Sequence, residues 1–191
     1  MNLTEGFKNQ GPAIFLMWVW ALILVYPDRG FIDATFGIIF VYFWVYFVHR
    51  VLHHIPLAVN THMQFHHAGP DEKPLPRWLE LVFETVTDAG MNMSLLLLQW
   101  LVGYHLVHPL IIVFFTLTYV SIHIINYSII GSQTHRTHHL VLDKNFGPDT
   151  IDHIVGTNFD ESFEDMTPLI FNGAVAFVIV GYIKDHIKLG A

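Results

Sequence analysis

The chain has 191 residues, 53% of them hydrophobic and 13% charged, with a formal net charge of −7 and no cysteine. That share of apolar residues is high for a soluble domain and points to a membrane, and nine lysines and arginines against sixteen acids leave no basic surface for nucleic acid. Without cysteine, disulfides, iron–sulfur clusters, thiolate zinc sites and cysteine nucleophiles are excluded, so any metal is held by nitrogen and oxygen.

Taken in chain order, the first apolar stretch covers residues 12–26 and is bracketed by Pro12 and Pro27. It is short for a span, which needs about 20 residues, and reads as a tilted or partial one. A cleaved signal peptide is the competing reading, opposed by a start that carries only Lys8 and by the lack of a small-x-small site before Pro27. The second stretch, 31–48, is interrupted only by Asp33. Continued through His54 as a helix it is roughly 30 Å or more in length, enough to cross a bilayer and emerge carrying histidines. The third and fourth, 91–107 and 109–127, are separated by Gly103 and Pro109 and read as a helical hairpin. The fifth, 168–183, contains Asn172 and two glycines and is a span, a re-entrant piece or a surface helix.

The expected fold is therefore all-α: a polytopic membrane protein with about four transmembrane helices and a histidine-rich helical cap, the whole of 1–191 forming one domain. Pairing the stretches as hairpins puts Lys8, Arg50, Lys73, Arg77, Arg136 and Lys144 on one side. The other side has Arg29, joined by Lys184 and Lys188 if the fifth stretch spans. The positive-inside tendency makes the first side cytoplasmic, in the endoplasmic reticulum of a eukaryote or the inner membrane of a bacterium. His105 and His108 fall on the opposite side and read as interfacial. Asp33 is the one acid expected within a span.

Fourteen histidines are present, and six of them crowd into residues 49–67. In "HRVLHH", His49 and His53 are four apart and His54 follows. In "HMQFHH", His62 and His66 are four apart and His67 follows. In "HRTHH", His135 and His138 are three apart and His139 follows. Residues three or four apart share a helix face, so each box aims at least two imidazoles into one space, and His123 at the end of the fourth stretch makes ten candidates. One first-row metal takes four to six ligands, so ten suit two ions. A single histidine near a membrane face is more often an interfacial hydrogen-bonding group, but three such boxes on one side are costly to bury unless something coordinates them. The chain has no H-E-x-x-H, no G-x-S-x-G, no phosphate loop and no dinucleotide fingerprint.

The three boxes, followed by "DKNFGPDTIDHIVGT" at 143–157, resemble the fatty acid hydroxylase/sterol desaturase superfamily of membrane di-iron oxygenases over roughly residues 45–160. The resemblance is carried by the order of the boxes and by Asn145, Phe146, Gly147, Asp152, Gly156 and Thr157. Two departures stand out. The usual second box is H-x-x-H-H, whereas "HMQFHH" has one residue more, leaving open whether His62 binds. His153 stands where an arginine is common and is not counted as a ligand. In the first box, His53 and His54 compete for one position.

The resemblance implies two iron ions, dioxygen as co-substrate, a lipid substrate that is hydroxylated or desaturated, and a separate electron donor, either a b-type cytochrome or a ferredoxin with its reductase. Asn126, Asn145, Asp149 and Asp152 are placed to accept the distal N–H of the ligands. Glu80 and Glu84 could do the same or form a solvated helix face, and the acidic run 159–165 reads as solvated surface. The competing functions are a membrane metal-binding or transport protein and a non-redox metal hydrolase.

Overall fold

A computed structural model describes residues 3–67 and 75–186. The described chain consists of seven α-helices, α1 (Leu3–Val25), α2 (Phe31–Leu52), α3 (Arg77–Val102), α4 (Pro109–Ser121), α5 (Gln133–Leu140), α6 (Asp149–Val155) and α7 (Thr167–His186), with a short 3₁₀ turn at Leu57–Val59 and π-helices at His62–His66 and Ile122–Gly131. Five helices are long and apolar enough to cross a membrane: α1, α2, α3, α4 with its π extension, and α7. The expected count of about four is thus raised to five. The first stretch gains its length upstream, because α1 begins at Leu3 and runs through Pro12, and the fifth is a continuous helix.

Helix α3 is turned inside out relative to a helix of a soluble protein. Helix α3 buries Glu80, Glu84, Asp88, Asn92 and Gln99, while Val82, Val86, Leu97 and Trp100 face outward. On α2, Ile32, Phe36, Ile39, Phe43 and Phe47 form an exposed apolar stripe, the pattern expected when the outer solvent is hydrocarbon and polar groups must face the bundle. Glu84 and Asp88 correct the expectation that Asp33 would be the one acid within a span. The polar face of 80–92 lowers the hydropathy of that segment, which is why the apolar pattern starts only at 91 although the helix starts at Arg77.

Helix α4 is the centre of the bundle and packs on α1, α2, α3 and α7. It is apolar on nearly every side and buries Leu110, Ile111, Ile112, Phe114 and Phe115. The α3–α4 connection is clamped by Gln99, whose Nε2 donates to Val107 O (3.0 Å) and whose Oε1 accepts from Val107 N (2.6 Å). His108 caps α4 by accepting from Leu110 N at 3.2 Å. His105 is exposed beside it. Lys184 Nζ donates to Tyr26 O, so the end of α7 meets the α1–α2 turn, away from the histidine boxes. Lys73 and Lys188 lie outside the described residues.

At Gly37, α2 and α4 approach so closely that a Cβ would sit 2.8 Å from Ile111 Cδ1 and 3.4 Å from Val107 Cγ1. Gly37→Leu is expected to destabilise the bundle by about 1–3 kcal/mol through overpacking, read as a fall in the thermal unfolding midpoint. An unchanged midpoint would show that the contact yields freely.

Candidate metal centre

Each element brings its histidines to one end of the bundle for a local reason. Helix α2 carries His49 in its last turn and is capped by His53, and four-residue spacing brings their ring centres to 5.0 Å. The chain then turns around buried Asn60, whose side chain donates to Leu52 O and Ile55 O and accepts from Met63 N. The second box follows as a π-helix, closed by a bond from His67 N to His62 O. A π turn, closed from i to i+5, takes up one residue more than an α turn. The extra residue in "HMQFHH" is absorbed there: His62 and His67 point together and His66 points elsewhere. Helix α5, capped by Ser132, divides the third box in the same manner. His135 and His139, four apart, bring their Nε2 atoms to 3.0 Å, and His138 turns to the other side.

The result is two groups of rings. His49, His53, His62, His67 and His138 place one ring nitrogen each within 4.8 Å of all the others, and so do His66, His123 and His135. In the first group the Nε2 atoms of His49 and His62 are 3.0 Å apart, those of His53 and His49 3.2 Å, and those of His67 and His62 3.2 Å. In the second, His66 Nε2 lies 3.2 Å from that of His123 and 3.1 Å from that of His139, so His139 joins this group. Nine of the ten candidates are brought together. His54 is not: it sits exposed on the turn after α2, whereas His53 lies in the first group.

The chemistry of these nitrogens can be tested for fit to a metal. His49 Nδ1 donates to Phe146 O at 2.6 Å and His138 Nδ1 to Lys144 O at 2.6 Å. A carbonyl only accepts, so both Nδ1 atoms carry the hydrogen, and in a neutral ring each Nε2 is then a bare lone pair. His138 Nε2 is buried without a hydrogen-bond partner. Two such lone pairs at 3.0–3.3 Å repel unless a hydrogen or a cation lies between them. At a metal–nitrogen bond of about 2.1 Å, ligands at right angles are separated by about 3.0 Å, so the spacing matches adjacent ligands on one ion. The residues present fit two such ions.

Protons are poor substitutes for that cation. Burial, and then the charge of His138, push the His53 imidazole down to about 3; burial drives His138 down to about 4, against the pull of the Lys144 carbonyl. Both folded values lie below the unfolded value of about 6.5, so unfolded chains take up protons first. Protein stripped of metal by a chelator should therefore lose stability as pH falls from about 6.5 towards 4 and show a flat profile above 6.5. Thermal unfolding from pH 8 to pH 4 checks this, and a midpoint independent of pH would contradict it.

The groups behind the rings differ from those expected. None of Asn126, Asn145, Asp149 and Asp152 meets a ring nitrogen of the nine histidines. Asn126 accepts from Asn172 and ties the second π-helix to α7. Asp149 accepts from Gln10 and from Glu164 N, and lies 3.5 Å from His153, which is outside both groups and is stacked on Phe163. Asn145 and Asp152 act through the backbone. Asp152 accepts from Phe146 N (3.0 Å), Gly147 N (2.6 Å) and Thr157 Oγ1 (2.7 Å). Asn145 holds a left-handed conformation with φ 53° and accepts from Phe159 N. Together they shape the loop whose carbonyls at 144 and 146 hold His138 and His49.

Two carboxylates on α3 do reach ring nitrogens: Glu84 Oε1 is 3.4 Å from His66 Nδ1, and Asp88 Oδ2 is 3.3 Å from His123 Nδ1. Asp88 escaped sequence reasoning, although acids at 80, 84 and 88 at four-residue intervals at the start of an apolar helix were the available signal. Glu164, expected in a solvated run, is turned inward and accepts from Tyr127 Oη (2.6 Å) and Ser132 Oγ (2.8 Å), and burial raises its carboxyl above the ordinary range. A cavity of about 100 Å³ adjoins the rings, with His49, His123 and His138 on its wall beside Tyr42, Phe115 and Leu169.

The family model described as fatty acid hydroxylase matches residues 34–157, a range that begins in α2 and ends on Thr157, and so contains every histidine of both groups. The chain belongs to the fatty acid hydroxylase family. No curated protein and no solved structure matches it. Membership makes this hydroxylase-family chain an oxidoreductase of the lipid-modifying kind, and the five apolar helices make it a membrane protein. In this member of the family the N-F-G…D…G-T segment has a physical task, which is to aim two carbonyls at two imidazoles.

Proposed function

We propose that the chain is a single-domain, membrane-embedded di-iron oxygenase that hydroxylates or desaturates a lipid. The carrying observation is the gathering of nine imidazoles in two groups, four of which, His49, His123, His135 and His138, line one cavity. His49, His53, His62, His67 and His138 would hold one iron and His66, His123, His135 and His139 the other. Two irons so bound supply the activation of dioxygen that lets a hydrogen be removed from an unactivated C–H bond, chemistry that no side chain performs alone. The protein's part is to orient and to exclude. The carbonyls of 144 and 146 fix two rings in one tautomer, the burial around His138 keeps protons off the ligands, and Tyr42, Phe115 and Leu169 give the carbon that reacts an apolar wall beside them.

Hydroxylation consumes one dioxygen, two electrons and two protons and yields the alcohol and water. The electrons come in this reading from a separate b-type cytochrome or a ferredoxin with its reductase, reaching the histidine end on the cytoplasmic side. Lipid mass spectrometry of cells expressing the chain under ¹⁸O₂, with His138→Ala as control, tests the proposal. Label in a lipid indicates hydroxylation, and loss of two hydrogens without label indicates desaturation. Turnover that needs neither dioxygen nor a reductant would replace this reading with a metal hydrolase.

A further inference from the structure

The two groups of imidazoles are braced differently, and the difference is one of charge. In the first group the rings with a fixed Nδ1 partner, His49 and His138, lean on neutral backbone carbonyls. In the second, α3 sets a carboxylate behind each of two rings, Glu84 at His66 and Asp88 at His123, at 3.4 and 3.3 Å. Glu84 and Asp88 are four apart and share a face of the helix, and both acids and both rings are buried.

The two acids are not equally committed. Glu84 Oε1 also receives Arg77 Nη1 at 3.2 Å. Asp88 Oδ2 has no hydrogen-bond partner, and the ring nitrogen of His123 is what faces it. A buried carboxylate in that position is costly unless positive charge stands nearby. An imidazole that binds a cation through Nε2 provides it, because its Nδ1–H becomes a stronger donor towards Asp88. The carboxylate in return makes Nε2 a more basic ligand, which a neutral carbonyl does to a smaller degree.

We infer that the two metal positions are electronically inequivalent: the one framed by His66, His123, His135 and His139 is the more electron-rich, with Asp88, helped by Glu84, as the positioning residue that makes it so. This rests on the two-metal reading. Five rings against four also separate the positions, so the decisive point is dependence on Asp88, which ring number alone does not predict. Both positions border the cavity, His49 and His138 from one and His123 and His135 from the other, so the asymmetry is presented to whatever binds there.

The test is Mössbauer spectroscopy and metal analysis of the full chain reconstituted with ⁵⁷Fe(II), for the wild type, Asp88→Asn and Glu84→Gln. The wild type should hold two irons and give two quadrupole doublets of equal area. Asp88→Asn should weaken retention of one iron about 10- to 100-fold, so that dialysis against a chelator removes one doublet and leaves the other in place, and Glu84→Gln should shift that same doublet by less. Two irons giving one doublet in the wild type would overturn the inference without recourse to any variant. Loss of both irons together in Asp88→Asn, or of neither, would overturn it as well. A wild type holding one iron or fewer would defeat the two-metal reading itself, and the inference with it.

Discussion

His138→Ala is expected to abolish lipid oxidation, with product falling by more than ~100-fold, the upper end of what loss of a group behind a ligand costs. Three features set that magnitude. The ring is buried, its Nδ1 is held by Lys144 O at 2.6 Å, and its Nε2 is aimed at the first group with no hydrogen-bond partner. Removing it opens the ligand set on the side that lines the cavity. His54→Ala, one residue from His53 in the same box, is the matched control. His54 is exposed outside both groups, so activity and metal content should stay within twofold of wild type. Equal losses in the two variants would mean that the grouping of rings is wrong.

Asp152→Ala is expected to lower metal retention about 10- to 100-fold although Asp152 touches none of the nine rings. Its carboxylate gathers Phe146 N, Gly147 N and Thr157 Oγ1, and Thr157 in turn pairs with Tyr46 Oη at 3.0 Å. Leaving these donors unmatched in a buried loop should cost on the order of 3–5 kcal/mol of stability. It should also release the two carbonyls that fix His49 and His138. Asp152→Asn keeps the shape but turns an amide towards two N–H groups, so it should fall between wild type and alanine. Iron content after dialysis and the thermal midpoint report the two effects separately. Metal retention equal to wild type in Asp152→Ala would show that the loop does not orient the rings.

Much of this arrangement was legible in the sequence because histidine spacing and hydropathy are local signals. The apolar stretches located α2, α4 and α7, and the three boxes with His123 supplied all nine gathered rings. What was hidden depends on backbone form. That His62 and His67 face together while His66 does not follows from a π-helix, and spacing read with α-helical period groups His62 with His66 instead. In the third box, a spacing of three suggested His135 with His138, but α5 pairs His135 with His139 and sends His138 across.

The groups behind the ligands were harder still. Backbone carbonyls leave no trace in residue identity, so the work of Lys144 and Phe146 could not be read, and Asp152 was credited with a direct contact that it makes only through the loop. Asp88 was missed for the opposite reason: its chemistry is plain, but a helix reaching back to Arg77 is needed before it can face His123.

The central claim is that nine imidazoles hold two metal ions, and the most direct measurement is the iron content per chain of the purified, reconstituted protein with and without His138. About two irons per chain are expected for the wild type, falling to about one in His138→Ala. One iron or fewer in the wild type, unchanged by that substitution, would contradict the account.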